Sequence, residues 1–128
     1  MTDLNSRKRL TVGVIIDNLV GESRSSLWPG IADTIHAQDG NLLCFTGGYL
    51  QDPRDPIPCG NIVYEMIDKD QLDGLIIWTS SLSSYVDLTT IQSFCQRYRP
   101  LPMVSIGIVL DGIPSIILDS YQGMREAL

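Results

Sequence analysis

The residues that most often perform catalysis or bind metals are few in this sequence and widely spaced. His36 is the only histidine, and it lies on a predicted helix that points away from the predicted strand ends. The three cysteines, Cys44, Cys59 and Cys95, do not have the spacing of metal ligands and are predicted to be free thiols. One histidine without paired acids assembles neither a catalytic triad nor a zinc site. The sequence therefore predicts a domain that is not an enzyme and holds no metal.

The usual phosphate-binding and nucleophile motifs are also missing. The loop after the first apolar run has one glycine, Gly21, where a dinucleotide-binding domain has Gly-x-Gly-x-x-Gly. The only lysines are Lys8 and Lys69, so this loop cannot be a P-loop. The third apolar run ends without an acid, which together with the lysine positions excludes a phosphoacceptor receiver domain. A nucleophile elbow, Gly-x-Ser-x-Gly, is absent as well.

Three serines near the start of the first helical segment leave one binding alternative open. Ser23, Ser25 and Ser26 follow Gly21, and hydroxyls and backbone amides at the start of a helix can bind an anion. Serines at such positions also cap helices without binding a ligand. A flavodoxin-like domain that holds phosphate or a flavin here is therefore the alternative to the interpretation developed below.

These candidates are positioned by short apolar runs that alternate with helical segments. Residues 11–17 are β-branched and apolar almost throughout, as is typical of a central strand covered on both faces. Similar runs predict four more strands, at residues 41–45, 75–79, 103–106 and 115–118.

Helical spacing and capping residues predict the helices between these strands. The first helix is predicted to begin at Ser23 or at Trp28. Pro29 falls in the first turn if the start is Trp28, and in the helix interior, where proline is costly, if the start is Ser23. The helix is predicted to end at residues 39–40 in a left-handed conformation. Residues 46–60, with three prolines, are predicted to be irregular. A second helix is predicted at residues 61–69, with Asn61 as its N-cap. A third is predicted to begin after Thr89 or Thr90 as its cap and to end at residue 99, and a last one is predicted to begin after Asp119.

Alternating strands and helices predict an α/β fold. We expect a three-layer α/β/α, doubly wound parallel sheet with strand order 2-1-3-4-5 and right-handed crossovers. Ligands of such sheets bind at the carboxyl ends of the strands. The residues predicted to face a ligand there are Asp17, Asn18, Leu19, Ser23, Trp78, Ser80, Ser81 and Gly107. Trp78 suits a large core position equally well.

Composition limits the class of protein further. A chain of 128 residues with 44% hydrophobic residues suits one domain, residues 1–128, with one modest core. The net charge of -6 argues against direct nucleic-acid contact by this segment. No apolar run approaches the roughly 20 residues of a membrane span, and no signal peptide is visible, so we expect a cytoplasmic domain. The last residues read as a helix cut short, which predicts a piece of a longer protein.

Four stretches resemble the sensor domain of the lactose-repressor (LacI/GalR) type. They are TVGVII at residues 11–16, LDGLII at 72–77, PMVSI at 102–106 and IPSIILDSYQGMREA at 113–127. The resemblance implies the fold of periplasmic sugar-binding proteins, in which two similar lobes close on a small ligand. This chain would be the amino-terminal lobe, sharing a sugar-like or other small molecule with a second lobe and using no cofactor.

The resemblance also implies partners and an output. Sensors of this type pair side by side, so it implies a homodimer. The segments NLLCFTGG at residues 41–48 and RYRPLPMVSIG at 97–107 are similar to lobes that precede bacterial histidine kinases or diguanylate cyclases. The implied output is therefore control of transcription or of such a signalling module. Gly107 stands about where many family members have an acid that contacts the sugar, so this sequence departs from the family there.

Overall fold

The computed structural model of the chain describes residues 9–18, 22–54 and 61–117, with only the backbone for residues 22–27. Within these residues, strands and helices alternate along the chain. The strands are β1 (Thr11–Ile16), β2 (Asn41–Thr46), β3 (Gly74–Ile77), β4 (Met103–Ile106) and β5 (Ser115–Ile116). The helices are α1 (Glu22–Ala37), α2 (Ile62–Glu65), α3 (Thr79–Leu82) and α4 (Leu88–Gln96), and a 3-10 turn spans Lys69–Gln71.

The strands form one sheet in the order β2-β1-β3-β4-β5, and each neighbouring pair is parallel. In the middle of β1, Val14 pairs with Cys44 on one side and with Ile76 on the other. This confirms the predicted α/β fold and strand order. Because the strands run in one direction, their carboxyl ends share one side of the sheet, called the carboxyl edge below. The opposite side is the amino edge.

Both faces of the sheet are covered, because successive residues of a strand point to opposite faces. On one face, Ile15 and Ile77 pack in a cluster that includes Phe94 of α4. On the other face, Val14 packs in a second cluster against Trp28 of α1. The result is the expected three-layer arrangement, in which β1 is buried from both sides.

The first helix agrees with the earlier of the two predicted starts. It begins at Glu22 and continues through Pro29, which lies inside the helix and not in its first turn. An interior proline costs about 3 kcal/mol, and the packing of Trp28 against the sheet helps to offset that cost. At the end of the helix the left-handed residue is Asp39, with a φ of 57°, and not Gly40.

The two short helices differ from the predicted elements. α2 has four residues and does not extend over residues 61–69, and the Asn61 side chain makes no capping hydrogen bond. This prediction was wrong because that side chain is bound to the preceding loop. The strand predicted at residues 75–79 ends at Ile77, and Thr79 already belongs to the single helical turn α3.

The cap of α4 is Asp87 rather than Thr89 or Thr90. The backbone N–H of Thr90 donates to Asp87 Oδ1 at 2.9 Å. Hydrogen bonds from Thr90 hold the pKa of Asp87 below its usual range. A capping carboxylate at the positive end of the helix is favourable for the same electrostatic reason.

No helix in the described ranges is both long and apolar enough to cross a bilayer. The predicted helix after Asp119 and the Cys59 thiol lie outside the described residues, so both stay predictions.

Candidate functional site

A buried acid and an exposed amide lie at the carboxyl edge, directly after β1. Asp17 is 3% exposed, whereas Asn18 is exposed. Asn18 Nδ2 donates a hydrogen bond to Asp17 Oδ2 at 2.8 Å. The buried carboxylate therefore orients an amide that can both donate to and accept from a polar ligand.

The loop after β2 is fixed to β1 by one tyrosine hydroxyl. Tyr64 of α2 is 1% exposed, and its hydroxyl oxygen accepts a hydrogen bond from the Gly47 N–H at 3.0 Å. The single proton of this hydroxyl is donated to the Gly48 carbonyl oxygen at 2.6 Å, and the Ile16 carbonyl oxygen at 3.2 Å is a second, longer acceptor for it. The Gly48 N–H donates to the Asp17 carbonyl at 3.0 Å. A single buried side chain therefore joins the end of β1 to the loop beside Asp17.

Burial also keeps this hydroxyl in its donor form. It is the largest cause of a pKa of Tyr64 well above the usual value, and it outweighs the opposing effect of the Gly47 N–H. The charge of Asp17 adds to the increase. Tyr64 is therefore protonated at neutral pH, and its hydrogen bonds to the carbonyl oxygens persist.

Asn61 holds the same loop from a second direction. Its Nδ2 donates to the carbonyl oxygens of Gly47 at 2.8 Å and Tyr49 at 3.0 Å. Its Oδ1 accepts from the N–H of Gln51 at 3.3 Å. Gln51 has a φ of 55°, a conformation that is unfavourable for a residue with a side chain. The Asn61 contacts help to stabilise it.

The ends of β3 and β4 are joined by two buried hydroxyls. Thr79 Oγ1 and Ser105 Oγ lie 2.7 Å apart. The Ile106 carbonyl oxygen lies 3.0 Å from Thr79 Oγ1 and the Ile108 carbonyl oxygen lies 2.7 Å from Ser105 Oγ, so the two hydroxyl protons are shared among these acceptors and the contact between the hydroxyls. Because both side chains are almost fully buried, these bonds fix the relative position of two neighbouring strand ends.

Two of the predicted site residues are in direct contact. A Cβ atom at Gly107 would collide with the Cβ and Oγ atoms of Ser80, and Gly107 has a φ of 103°. Both facts require glycine at this position. Ser80 is exposed, and its side chain occupies the space that a longer residue at position 107 would need. An acid cannot be accommodated here without moving Ser80.

The remaining predicted site residues have different surroundings. Trp78 is 4% exposed and packs in the cluster with Val14, which favours its core alternative. Ser81 is half-buried, and its Oγ donates to the Trp78 carbonyl at 3.1 Å. Leu19 lies outside the described residues. Ser23 lies in the first turn of α1, and its side chain is not described. Ligand contact by these residues stays a prediction.

An arginine between two tyrosines borders the same edge. The Arg54 guanidinium carbon lies 5.6 Å from the ring centres of both Tyr49 and Tyr85. Asp52 accepts from Arg54 Nε at 3.0 Å and from Nη2 at 2.8 Å. These hydrogen bonds lower the pKa of Asp52 and raise that of Arg54. The guanidinium is therefore charged and held in one orientation.

The sequence did not indicate a role at this site for Tyr64 or Arg54, and it indicated Asn61 only as a helix cap. The partners of Tyr64 and Asn61 are backbone groups ten or more residues away, so no local pattern shows them. The one available signal was the long proline-rich connection, since such loops are often functional. Within the described residues, no group of three or more His, Cys, Asp or Glu side chains could hold a metal ion. The edge offers amides, hydroxyls and one acid, which can hydrogen-bond a polar molecule.

One solved structure has a similar backbone. The chain matches the crystal structure of transcription regulator CcpA of Lactococcus lactis, with a TM-score of 0.63 and 21% sequence identity. The match covers 94% of this chain and 42% of the CcpA chain. No family model and no curated protein sequence matches the chain. At this identity the likeness shows the fold alone: the chain shares the α/β architecture of part of the CcpA chain, which is the fold that the sequence resemblance implied.

Proposed function

We propose that this chain is a ligand-sensing lobe of a regulatory protein, not an enzyme, and that it binds a small polar molecule at its carboxyl edge. The chain would be the amino-terminal lobe of a two-lobe domain. The ligand would lie between the lobes, and the output would be control of transcription or of a signalling module. The shared fold with part of a transcription regulator supports the regulatory role.

The observation that carries the proposal is the rigid presentation of polar groups at this edge. Asn18 is oriented by a buried acid, and the loop beside it is held by the Tyr64 hydroxyl. Polar groups that are fixed before binding lose little entropy when a ligand arrives. The buried polar side chains that hold these loops therefore fix the polar groups of the edge in positions from which they can contact a ligand.

The absence of an acid at position 107 influences the ligand class. Ser80 fills that space, so the β4 end offers a hydroxyl and backbone groups and not a carboxylate. Such groups favour a neutral, polar ligand over a cation. They discriminate less strongly between sugars than a carboxylate would, because a charged acceptor forms stronger hydrogen bonds to hydroxyl groups.

The test is a calorimetric titration of a longer chain that contains a second lobe, with glucose, galactose and ribose as probes. Asn18→Ala and Ser81→Ala are each expected to weaken binding by about tenfold, the loss of one good hydrogen bond to a polar ligand. Asp17→Ala is expected to weaken binding as well, because the Asn18 amide loses the carboxylate that orients it. Asp111→Ala, an exposed acid in the turn before β5, is the matched control and should bind normally. Unchanged binding in all three edge variants would place the pocket elsewhere.

We also infer that the lobe pairs with a second copy of itself. β2 is an edge strand of the sheet, and Leu43 on it is 45% exposed. An edge strand with an exposed apolar residue is a favourable place for a symmetric contact. Light scattering at increasing concentration measures the association, and a strictly monomeric species throughout would contradict it.

A further inference from the structure

A second pocket lies between α2 and α4, apart from the predicted site residues. Its volume is about 480 Å³, within the roughly 300–1,000 Å³ of typical small-molecule sites. Leu50 and Gln51 of the loop after β2 also line it. None of the eight residues predicted to face a ligand is among the residues that line it.

The floor of this pocket is apolar and aromatic. It is formed by Leu50, Tyr64 and Phe94, each of which is no more than 7% exposed. The rings of Tyr64 and Phe94 meet edge to face, with centres 5.6 Å apart. Aromatic rings in this arrangement present an edge and a face on which another flat ring packs well.

The rim of the pocket carries one charge of each sign. Glu65 of α2 and Arg97 after α4 both line it and are both exposed. The Arg97 guanidinium carbon lies 5.5 Å from the Phe94 ring centre and 6.0 Å from that of Tyr98, so stacking holds it over the floor. In the described part of the chain, Glu65 and Arg97 form no ion pair with each other or with another residue. Their charges are therefore available to a ligand.

From this arrangement we propose that the α2–α4 pocket is a second binding site, for a small zwitterion with a flat apolar body, such as an aromatic α-amino acid. The ring lies on the floor of Leu50, Tyr64 and Phe94. The ligand carboxylate pairs with Arg97, whose planar fork suits a carboxylate, and the ligand ammonium pairs with Glu65. The charges of the rim complement those of the ligand, and the volume fits a molecule of that size.

The experiment measures the binding of L-phenylalanine to the 128-residue chain, from the shifts of the backbone amide signals in NMR. Two analogues separate the charges: 3-phenylpropanoate lacks the ammonium group, and phenethylamine lacks the carboxylate. Each analogue should bind at least about tenfold more weakly, since each loses a hydrogen-bonded charge. The amide shifts should be largest at Gln51, Ser93 and Arg97.

Variants test the same contacts from the side of the protein. Arg97→Gln should weaken the binding of L-phenylalanine at least tenfold but leave that of phenethylamine almost unchanged. Glu65→Gln should weaken the binding of L-phenylalanine at least tenfold but leave that of 3-phenylpropanoate almost unchanged. Ser93→Phe, an exposed residue on the rim, should fill the pocket and abolish binding without removing a core contact. Arg99→Gln, an exposed arginine that lines a different pocket at the amino edge, is the control and should bind normally.

Several results would overturn the proposal. They are no saturable binding of L-phenylalanine up to its solubility limit, equal affinity for the two analogues and the amino acid, or unchanged binding by Arg97→Gln. Amide shifts centred on Asn18, Ser80 and Gly107 would also overturn it, because they would place the probe at the carboxyl edge. The ligand-sensing proposal fails on a different observation, the sugar titration of a two-lobe chain, so the two tests are independent.

Discussion

The two edges of the sheet are held by different kinds of contact. At the carboxyl edge, buried side chains from other elements bind the loops, as Tyr64 does with the Gly47 N–H. At the amino edge, the contacts are mostly between backbone groups and exposed charges. The Asn41 N–H donates to the Leu10 carbonyl at 2.7 Å, and Arg9 pairs with Asp39 at 3.1 Å, with both side chains more than half exposed.

This difference has an energetic meaning. A buried polar group that loses its partner costs about 1–3 kcal/mol, whereas an exposed ion pair contributes about 0–1 kcal/mol. The carboxyl edge therefore has more to lose from a single substitution than the amino edge. The contacts that cost most to lose lie at the edge where we propose that the ligand binds.

The largest expected effect is at Gly107, compared with Gly112 near the amino edge. Gly107→Ala adds a methyl group against Ser80 and strains a backbone with a φ of 103°, which together cost about 3 kcal/mol. Gly112 has a φ of 75°, but the nearest atom to an added Cβ is Arg99 Nη2 at 3.5 Å. Gly112→Ala should therefore cost only the backbone strain, about 1–2 kcal/mol. Urea unfolding measures both, and equal losses would contradict the steric account.

Removal of the Tyr64 hydroxyl comes next. Tyr64→Phe leaves the Gly47 N–H and two carbonyl oxygens without this partner, so we expect a loss of about 2 kcal/mol in the free energy of unfolding. Tyr85→Phe is the control, because that ring is 42% exposed, and its stability should not change. Hydrogen exchange at the Gly47 and Gly48 amides should be faster in Tyr64→Phe alone. Normal protection there would show that the loop does not depend on the hydroxyl.

Alkaline pH should produce a partial version of the same loss. Burial raises the pKa of Tyr64 above the usual value near 10, so the unfolded chain releases this proton first. The stabilisation is therefore complete below pH 10 and decreases as the pH rises beyond it. Burial also raises the pKa of Tyr98 to about 12 and of Cys95 to about 12, and both act in the same direction. Denaturant unfolding between pH 8 and about 11 should show this decrease, with a shallower slope in Tyr64→Phe.

The smallest effect is expected at the exposed ion pair of the amino edge. Arg9→Ala removes the contact with Asp39, whose side chain is 85% exposed, while the arginine side chain is 54% exposed. The change in unfolding free energy should be about 0–1 kcal/mol and should disappear at high salt, because exposed charges are screened. A loss comparable to that of Tyr64→Phe would erase the distinction between the two edges.

The strands and their order could be predicted from the sequence because burial leaves a local pattern. Every residue from Val14 to Ile16 is buried, and a short apolar run of β-branched residues has few other structures open to it. The helix boundaries were less predictable. Asn61 is a good N-cap by residue type, but its side chain instead forms hydrogen bonds to three backbone groups of the preceding loop.

The candidate site was predictable only in outline. Strand ends locate Asp17, Asn18 and Ser80, since the carboxyl ends of parallel strands share an edge. The contacts that hold them there come from residues distant in sequence, such as Tyr64 acting on Ile16. The collision between Ser80 and any side chain at position 107 also depends on two strands lying side by side. A single sequence carries no record of such pairings.

The parallel sheet described above has a consequence for how the chain folds during synthesis. β1 is made before the other four strands, yet it lies in the interior of the sheet, where Val12 pairs with both Leu42 and Gly74. Parallel pairing requires a long crossover, so neither partner is available while the first strand leaves the ribosome. Until β3 has been made, the apolar run of β1 has one sheet neighbour at most, and the nascent chain is then most exposed to aggregation. Pausing translation before residue 74 should therefore lower the yield of folded protein more than pausing after residue 106.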